Sequence, residues 1–326
     1  MAPTAALAHD TWLEQRPGRA GQVELALSTG ALFPAAQTGI AAASLVDRGC
    51  LAAPGRRLPL RAGAALASAL TLHTAPRRGE TITACWVQTE AFDVEVPAAL
   101  VPTYLREIAA PDSIRQAWAE QQGQGLPWRE RYTKHARISW AAPAAAGPAT
   151  HSPHSAQSPR SSPPPTAPAM ALDIEIEDAR APRAGETLRF RVLRDGQALA
   201  GQAVELRGEM SRFGLWRRTD AEGRASVPVP FAGRWVLRAT DLRALPGQPG
   251  HWQSRFVTHA FSAAPAVPAA PEAADDGPIG SHLAAAGGSA GSAQPSNPSM
   301  PKARSANQSK ATPTISTEPP VTTARR

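Results

Sequence analysis

Two stretches of this chain, residues 143–170 and 263–326, are written almost wholly in Ala, Pro, Ser, Gly and Thr, with few Ile, Leu, Val or Phe among them. Segments of that composition cannot bury enough apolar surface to offset the entropy of ordering, so both read as disordered, one a linker and the other a tail. What is left to fold is residues 9–142 and 171–262, two modules of ordinary domain size.

From Leu172 the second module alternates with period two. Leu172, Ile174 and Ile176 are interleaved with Asp173, Glu175 and Glu177, and Leu188, Phe190 and Val192 with Arg189 and Arg191. Such alternation puts one face of a strand on a core and the other in water. Asp195-Gly196 is a hairpin dipeptide, Val204 and Leu206 begin another strand, and residues 220–223 make a turn before Ala225, Val227 and Val229. Trp235, Leu237 and Ala239 continue the pattern, and residues 252–261 close it. About seven short strands with turns between them predict an antiparallel β-sandwich of immunoglobulin-like type.

The first module is less regular. Residues 22–29, 69–73 and 81–92 read as strands, with Trp86, Val94 and Val96 as apolar anchors. After Pro111, Asp112 or Ser113 caps a helix in which Ile114, Ala117 and Trp118 fall at i, i+3 and i+4, ending near Gly123 and Gly125. A second short helix fits residues 128–137, its charges Arg129, Glu130, Arg131, Lys134 and Arg137 forming a solvated face. Residues 138–140 make the last strand. The fold class is therefore mainly β, a β-rich first domain with a short helical insertion and an immunoglobulin-like second domain.

A formal charge of +7 and an isoelectric point near 10.3 invite a nucleic-acid reading until the charge is located. It is spread as +2 over residues 9–142, +1 over the linker, +3 over 171–262 and +1 over the tail. Phosphate tracking needs clustered cations. Here Arg207, Arg212, Arg217, Arg218 and Arg224 are interleaved with Glu205, Glu209, Asp220 and Glu222, so no nucleic-acid partner is expected. No run approaches the roughly 18 to 20 apolar residues of a membrane span.

The N-terminus reads MAPTAALA, ending in the small-x-small pattern Ala6-Leu7-Ala8 that a signal peptidase cuts. Residues 1–8 are read as a signal-peptide remnant. Cys50 and Cys85 suit one disulfide in an exported protein or two thiols in a cytosolic one.

Motifs for catalysis are missing: no phosphate-binding loop, no G-x-S-x-G, no H-E-x-x-H and no C-x-x-C. The chain is not expected to be an enzyme. Histidine remains. His151, His154 and His282 lie in the low-complexity segments, and His251 and His259, eight positions apart on one strand, stand about 26 Å from each other at the usual rise. On the helical reading His135 sits one turn from Arg131, a poor place for a cation. His9 differs. Cleavage after Ala8 would give it a free α-amine, and that amine with its own imidazole makes a two-nitrogen chelate suited to Cu(II) or Ni(II). Otherwise His9 is simply the first residue of an edge strand led by Trp12.

Several motifs together resemble a known family. These are Ala8-His9-Asp10-Thr11-Trp12-Leu13-Glu14, Tyr104-Leu105-Arg106-Glu107 and Arg129-Glu130-Arg131-Tyr132-Thr133-Lys134, followed in the second module by Asp195-Gly196, Thr219-Asp220, Gly223-Arg224, Gly233 with Trp235, and Trp252 with Ser254. The pattern is similar to a two-domain bacterial periplasmic family of unknown function, domain of unknown function 4198, grouped with accessory proteins of nickel and cobalt uptake. The resemblance implies a periplasmic, non-enzymatic metal-binding protein. In it His9 is the metal ligand, Ni(II) or Co(II) the metal with Cu(II) retained, and an inner-membrane metal transporter the partner. The Pro-rich linker, Arg137 and His135 depart from the family pattern. A structural or adhesive cell-envelope module without metal is the alternative, and a copper monooxygenase, which needs a second well-placed histidine, the third.

Overall fold

Among the described residues, alternating apolar positions and tight turns make eighteen strands, most of them short. The computed structural model describes residues 9–140, 169–178 and 180–267. The first stretch runs β1 (Asp10–Arg16), β2 (Val23–Gly30), β3 (Thr38–Gly39), β4 (Leu45–Ala52), β5 (Arg56–Leu58), β6 (Arg61–Ala65), β7 (Leu70–Thr74), β8 (Ile82–Thr89) and β9 (Phe92–Val96). Two helices follow, α1 (Val101–Glu107) and α2 (Asp112–Gly123), and then β10 (Trp128–Ser139). The second stretch runs β11 (Leu172–Ile176), β12 (Thr187–Arg194), β13 (Gln197–Ala198), β14 (Ala203–Gly208), β15 (Leu215–Arg218), β16 (Arg224–Pro228), β17 (Gly233–Ala244) and β18 (His251–Ala263).

These strands stack as three β layers. The outer layer from the first stretch has the order β1-β2-β7-β6, with β3 against β2. The outer layer from the second has β11-β12-β13, with β16 against β12. Between them lies a nine-stranded sheet, β15-β14-β17-β18-β10-β8-β4-β5 with β9 beside β10, to which both stretches contribute. Strand parity sorts its side chains between the two cores. Cys85, Val87, Ala136, Ile138 and Ala260 face Leu13, Leu25, Leu27, Leu70 and Leu72, whereas Trp86, Leu206, Leu237, Val257 and Phe261 face Leu172, Ile174, Leu188, Phe190 and Val192. Both stretches line both cores, since Leu51, Ala84 and Trp86 of the first enter the second core and Ala260 of the second enters the first, and within the shared sheet β10 and β18 pair in parallel, from Arg129 opposite His251 to Ile138 opposite Ala260. The mainly β class and the immunoglobulin-like second sandwich stand.

Local chemistry accounts for the turns. Asp195 and Gly196 both take positive φ, 50° and 75°, which is the two-residue turn whose twist suits a β-hairpin. Cys50 and Cys85 lie directly opposite on β4 and β8 and are joined by a disulfide. The expected helix after Pro111 is α2, and α1 precedes it unannounced by the sequence pattern.

The second short helix expected over residues 128–137 is instead β10. Its alternate positions point to opposite sides of the central sheet; Arg129 and Arg131 are exposed as expected, whereas the other polar ones are buried or half-buried. Glu130 is 3% exposed, His135 1% and Arg137 4%. Of the charges spaced like a helical face, Glu130, Lys134 and Arg137 are withdrawn from solvent and have individual partners, while Arg129 and Arg131 stay solvated. At the margins of the low-complexity stretches, Met170 is buried in the second core and Ala264 bridges to Arg183. The linker and tail otherwise lie outside the described residues.

The helices close the end of the central sheet where the first outer layer stops. Trp118, Trp128, Trp252, Tyr104 and Phe256 form a third core there, with the indoles of Trp128 and Trp252 stacked at 4.2 Å. Within it Glu130 accepts hydrogen bonds from Tyr104 Oη at 2.8 Å, Trp128 Nε1 at 2.7 Å and Ser254 Oγ. Burial pushes the Glu130 carboxyl up from its ordinary value, and the three donors only partly oppose it. A raised folded pKa contributes stability that is fully present below the unfolded value, near pH 4.3, and is lost as pH rises through the folded value. Glu130→Gln is therefore expected to flatten the decline in unfolding free energy above about pH 4.3. Urea melts of both proteins from acid to neutral pH check this, and parallel curves would refute it.

Candidate functional site around His9

The segment His9-Asp10-Thr11-Trp12-Leu13-Glu14 begins the described chain and forms most of β1. β1 is the edge strand of its sheet, and Asp10, Thr11, Trp12, Leu13 and Glu14 on it are all buried. Alternate residues of β1 meet alternate residues of β17. Asp10 Oδ1 lies 3.4 Å from Arg238 Nη1, Trp12 packs with Val236 and Phe33, and Glu14 pairs with Arg234. Leu13 enters the core with Leu25 and Leu27. Thr11 bonds Thr29 side chain to side chain at 2.8 Å, and its carbonyl accepts Thr258 Oγ1 at 2.6 Å.

His9 stands at the head of this strand, half-buried, and its backbone carbonyl accepts Lys134 Nζ at 2.9 Å. Lys134 reaches it from β10, passing the rings of Tyr132 and Phe256 at 5.8 and 5.9 Å. Burial pushes the Lys134 ammonium down to about 8, with Asp10 opposing. Burial and the Lys134 charge likewise lower His9, against the weaker pull of Asp10 and Glu107. Both effects favour the neutral imidazole over the charged one, and the neutral form is the one that ligates metals. No described side chain hydrogen-bonds that ring.

Charge balance around Asp10 is close. Burial raises its carboxyl, while Arg238, Arg207 and Lys134 lower it. Arg238 pairs with Glu205 as well, donates to the Glu107 carbonyl at the end of α1 at 2.8 Å, and lies over the Trp216 ring at 5.4 Å. Asp10 Oδ2 is buried with no hydrogen-bond partner.

His135, His259 and His251 do not join His9. His135 follows Lys134 on β10 and so points to the opposite side of the central sheet, where its Nδ1 meets the Phe256 carbonyl at 2.9 Å and burial lowers it to about 4. His259 is buried on that same side. Its Nδ1 meets the Ile174 carbonyl at 2.6 Å and its Nε2 meets Ser139 Oγ at 2.7 Å, with burial and Arg137 lowering it to about 3. His251 opens β18, with Nδ1 3.2 Å from the Pro249 carbonyl. His151, His154 and His282 lie outside the described residues. Among the described residues no three His, Cys, Asp or Glu side chains gather as a metal-binding group. Both cysteines are committed to their disulfide.

Sequence reasoning singled out His9 but missed Lys134, Arg238 and Glu107 around it. Lys134 could have been found by reading Trp128, Glu130, Tyr132, Lys134, Ala136 and Ile138 as one face of a strand.

Residues 162–241 match a family model described as a domain of unknown function, DUF4198, a span that ends within β17 and does not reach the first module. No curated protein matches the chain. A solved structure of a tetra-tandem repeat in the extending region of a large adhesion protein is similar at 9% identity and a TM-score of 0.20, covering 78% of this chain and 49% of that one. The chain spans about half the length of that protein chain. No helix among the described residues is long and apolar enough to cross a membrane.

Proposed function

We propose that this is a non-enzymatic accessory protein of the periplasm that binds Ni(II) or Co(II) through a mature N-terminal His9 and exchanges it with an inner-membrane metal transporter. One observation carries the reading. Every residue from Asp10 to Glu14 is consumed by packing or pairing, whereas His9 is held only by its carbonyl, leaving its neutral imidazole without a described partner. Cleavage after Ala8 would add the α-amine, completing a nitrogen pair on a residue whose backbone Lys134 already fixes. The Cys50–Cys85 disulfide supports an oxidising compartment.

Mass spectrometry of the exported protein gives the mature N-terminus, expected at His9. Titration of Ni(II), Co(II) and Cu(II) into that form, and into one bearing a single extra N-terminal residue, is expected to show affinity falling more than about tenfold in the extended form. Losing a direct ligand should cost at least as much as losing one that supports it. Equal affinities, or a mature chain starting at Met1, would overturn the proposal.

A further inference from the structure

The connection between α1 and α2, the segment leading into β14 and the last part of β17 border a cavity of about 200 Å³ that the His9 reading does not use. It exists because β14 and β17 differ in length. β14 begins only at Ala203, so β17 runs on past Thr240 to Ala244 with no strand on that side. The Gln202 side chain covers the first open position, its Nε2 donating to the carbonyls of Ala203 at 2.9 Å and Thr240 at 3.0 Å. Leu242 lies beyond that cover. Leu245 N donates to the His251 carbonyl at 2.9 Å, so odd-numbered residues of β17 bond β18 and even-numbered ones aim their N–H and C=O groups the other way. The Leu242 N–H is therefore an edge donor at the wall of the cavity.

Charge around the cavity is one-sided. Arg218 and Arg243 line it, and both are exposed. Among the described residues each is engaged through a single nitrogen, Arg218 Nη1 with the Gly201 carbonyl at 3.0 Å and Arg243 Nε with Asp241 Oδ1 at 3.1 Å. Asp241 is the one carboxylate of the lining, and its second oxygen lies 3.1 Å from Arg194 Nη1. A cation finds no free carboxylate here, whereas an anion finds two guanidinium forks with nitrogens to spare. Ile108, Leu199 and Leu242 make the apolar part of the wall.

We propose that this cavity binds a small organic monocarboxylate, its charged end paired with Arg218, Arg243 and the Leu242 N–H, and its short carbon chain against Ile108, Leu199 and Leu242. Volume sets the size class. Sites for drug-sized ligands run from about 300 to 1,000 Å³. The smaller space here suits an acid of a few carbon atoms. Sign and shape of charge set the rest, because a carboxylate matches the planar fork of an arginine.

NMR titration of the full chain with butanoate, and with butanamide as its neutral counterpart, tests the proposal. Saturable binding of butanoate is expected, with butanamide weaker by more than about tenfold, since hydrogen bonds to a charged group carry at least that weight. Acetate, two methylenes shorter, should bind about tenfold more weakly. R218Q and R243Q should each weaken butanoate binding by about tenfold or more. R212Q, which alters an exposed arginine in the turn before β15 that is no part of the lining, should leave it unchanged. Thermal unfolding confirms that these surface variants remain folded. An R212Q loss matching the other two, equal affinity for butanamide or acetate, or no saturable binding of butanoate would overturn the proposal.

Discussion

Replacing Asp173 with alanine is expected to lower the unfolding free energy by about 3–5 kcal/mol, because it takes the counter-ion from a buried guanidinium. Asp173 on β11 is fully buried and Arg137 on β10 is 5% exposed at the side chain. Their fork-to-fork contact includes Nε to Oδ1 at 2.9 Å, and Asp173 Oδ2 also accepts Met170 N at 3.3 Å. This pair links a strand of the first module to the outer layer of the second, so its loss weakens the seam between them. The charge is what costs, since a buried ion that loses its counter-ion keeps its desolvation penalty without the attraction that offset it. The double variant Arg137→Met/Asp173→Leu should accordingly be less destabilised than Asp173→Ala alone. Urea unfolding of the three proteins decides, and a double variant as weak as the single one would locate the effect in packing instead.

A loss of similar size is expected for Trp128→Ala, about 3–5 kcal/mol. Trp128 is fully buried, stacks on Trp252, and meets Trp118 and Tyr104 edge-on at 5.3 and 5.9 Å. The alanine opens a cavity between the helices and the central sheet and also removes the Nε1–H that bonds Glu130. Trp128→Phe separates the two contributions. It keeps an aromatic face against Trp252 while leaving one carboxylate oxygen without its donor, which typically costs about 1–3 kcal/mol. Chemical denaturation measures both, and a phenylalanine variant as damaged as the alanine one would show that the polar network outweighs the stack.

How much of this was legible depended on where the polar residues sit. In the second module apolar and charged residues alternate along β11 and β12, so the strands announced themselves. In β10 the same period is present, but its members are Glu130, Lys134, His135 and Arg137, whose burial is made tolerable by partners far away in sequence: Tyr104, His9, Phe256 and Asp173. A reading that equates charge with solvent turns such a strand into a helix. β4 and β6, reading LVDRGCLA and RAGAA, offered too little β-branched or aromatic content to be seen. For the candidate site, the sequence singled out His9, and the contact with Lys134 became visible only once β1 and β10 were brought together.

The parallel pairing of β10 with β18 also dictates an order of events during synthesis. Partners such as Arg129 and His251 are about 120 residues apart, a separation that makes closure of the seam slow compared with hairpins such as β17–β18. Until Ala260 has left the ribosome, part of one side of β10 stays an open edge, and that edge is a template for wrong pairing. A nascent chain that has completed β10 is therefore still unfinished at its centre, and the last of the described strands is the one that seals it.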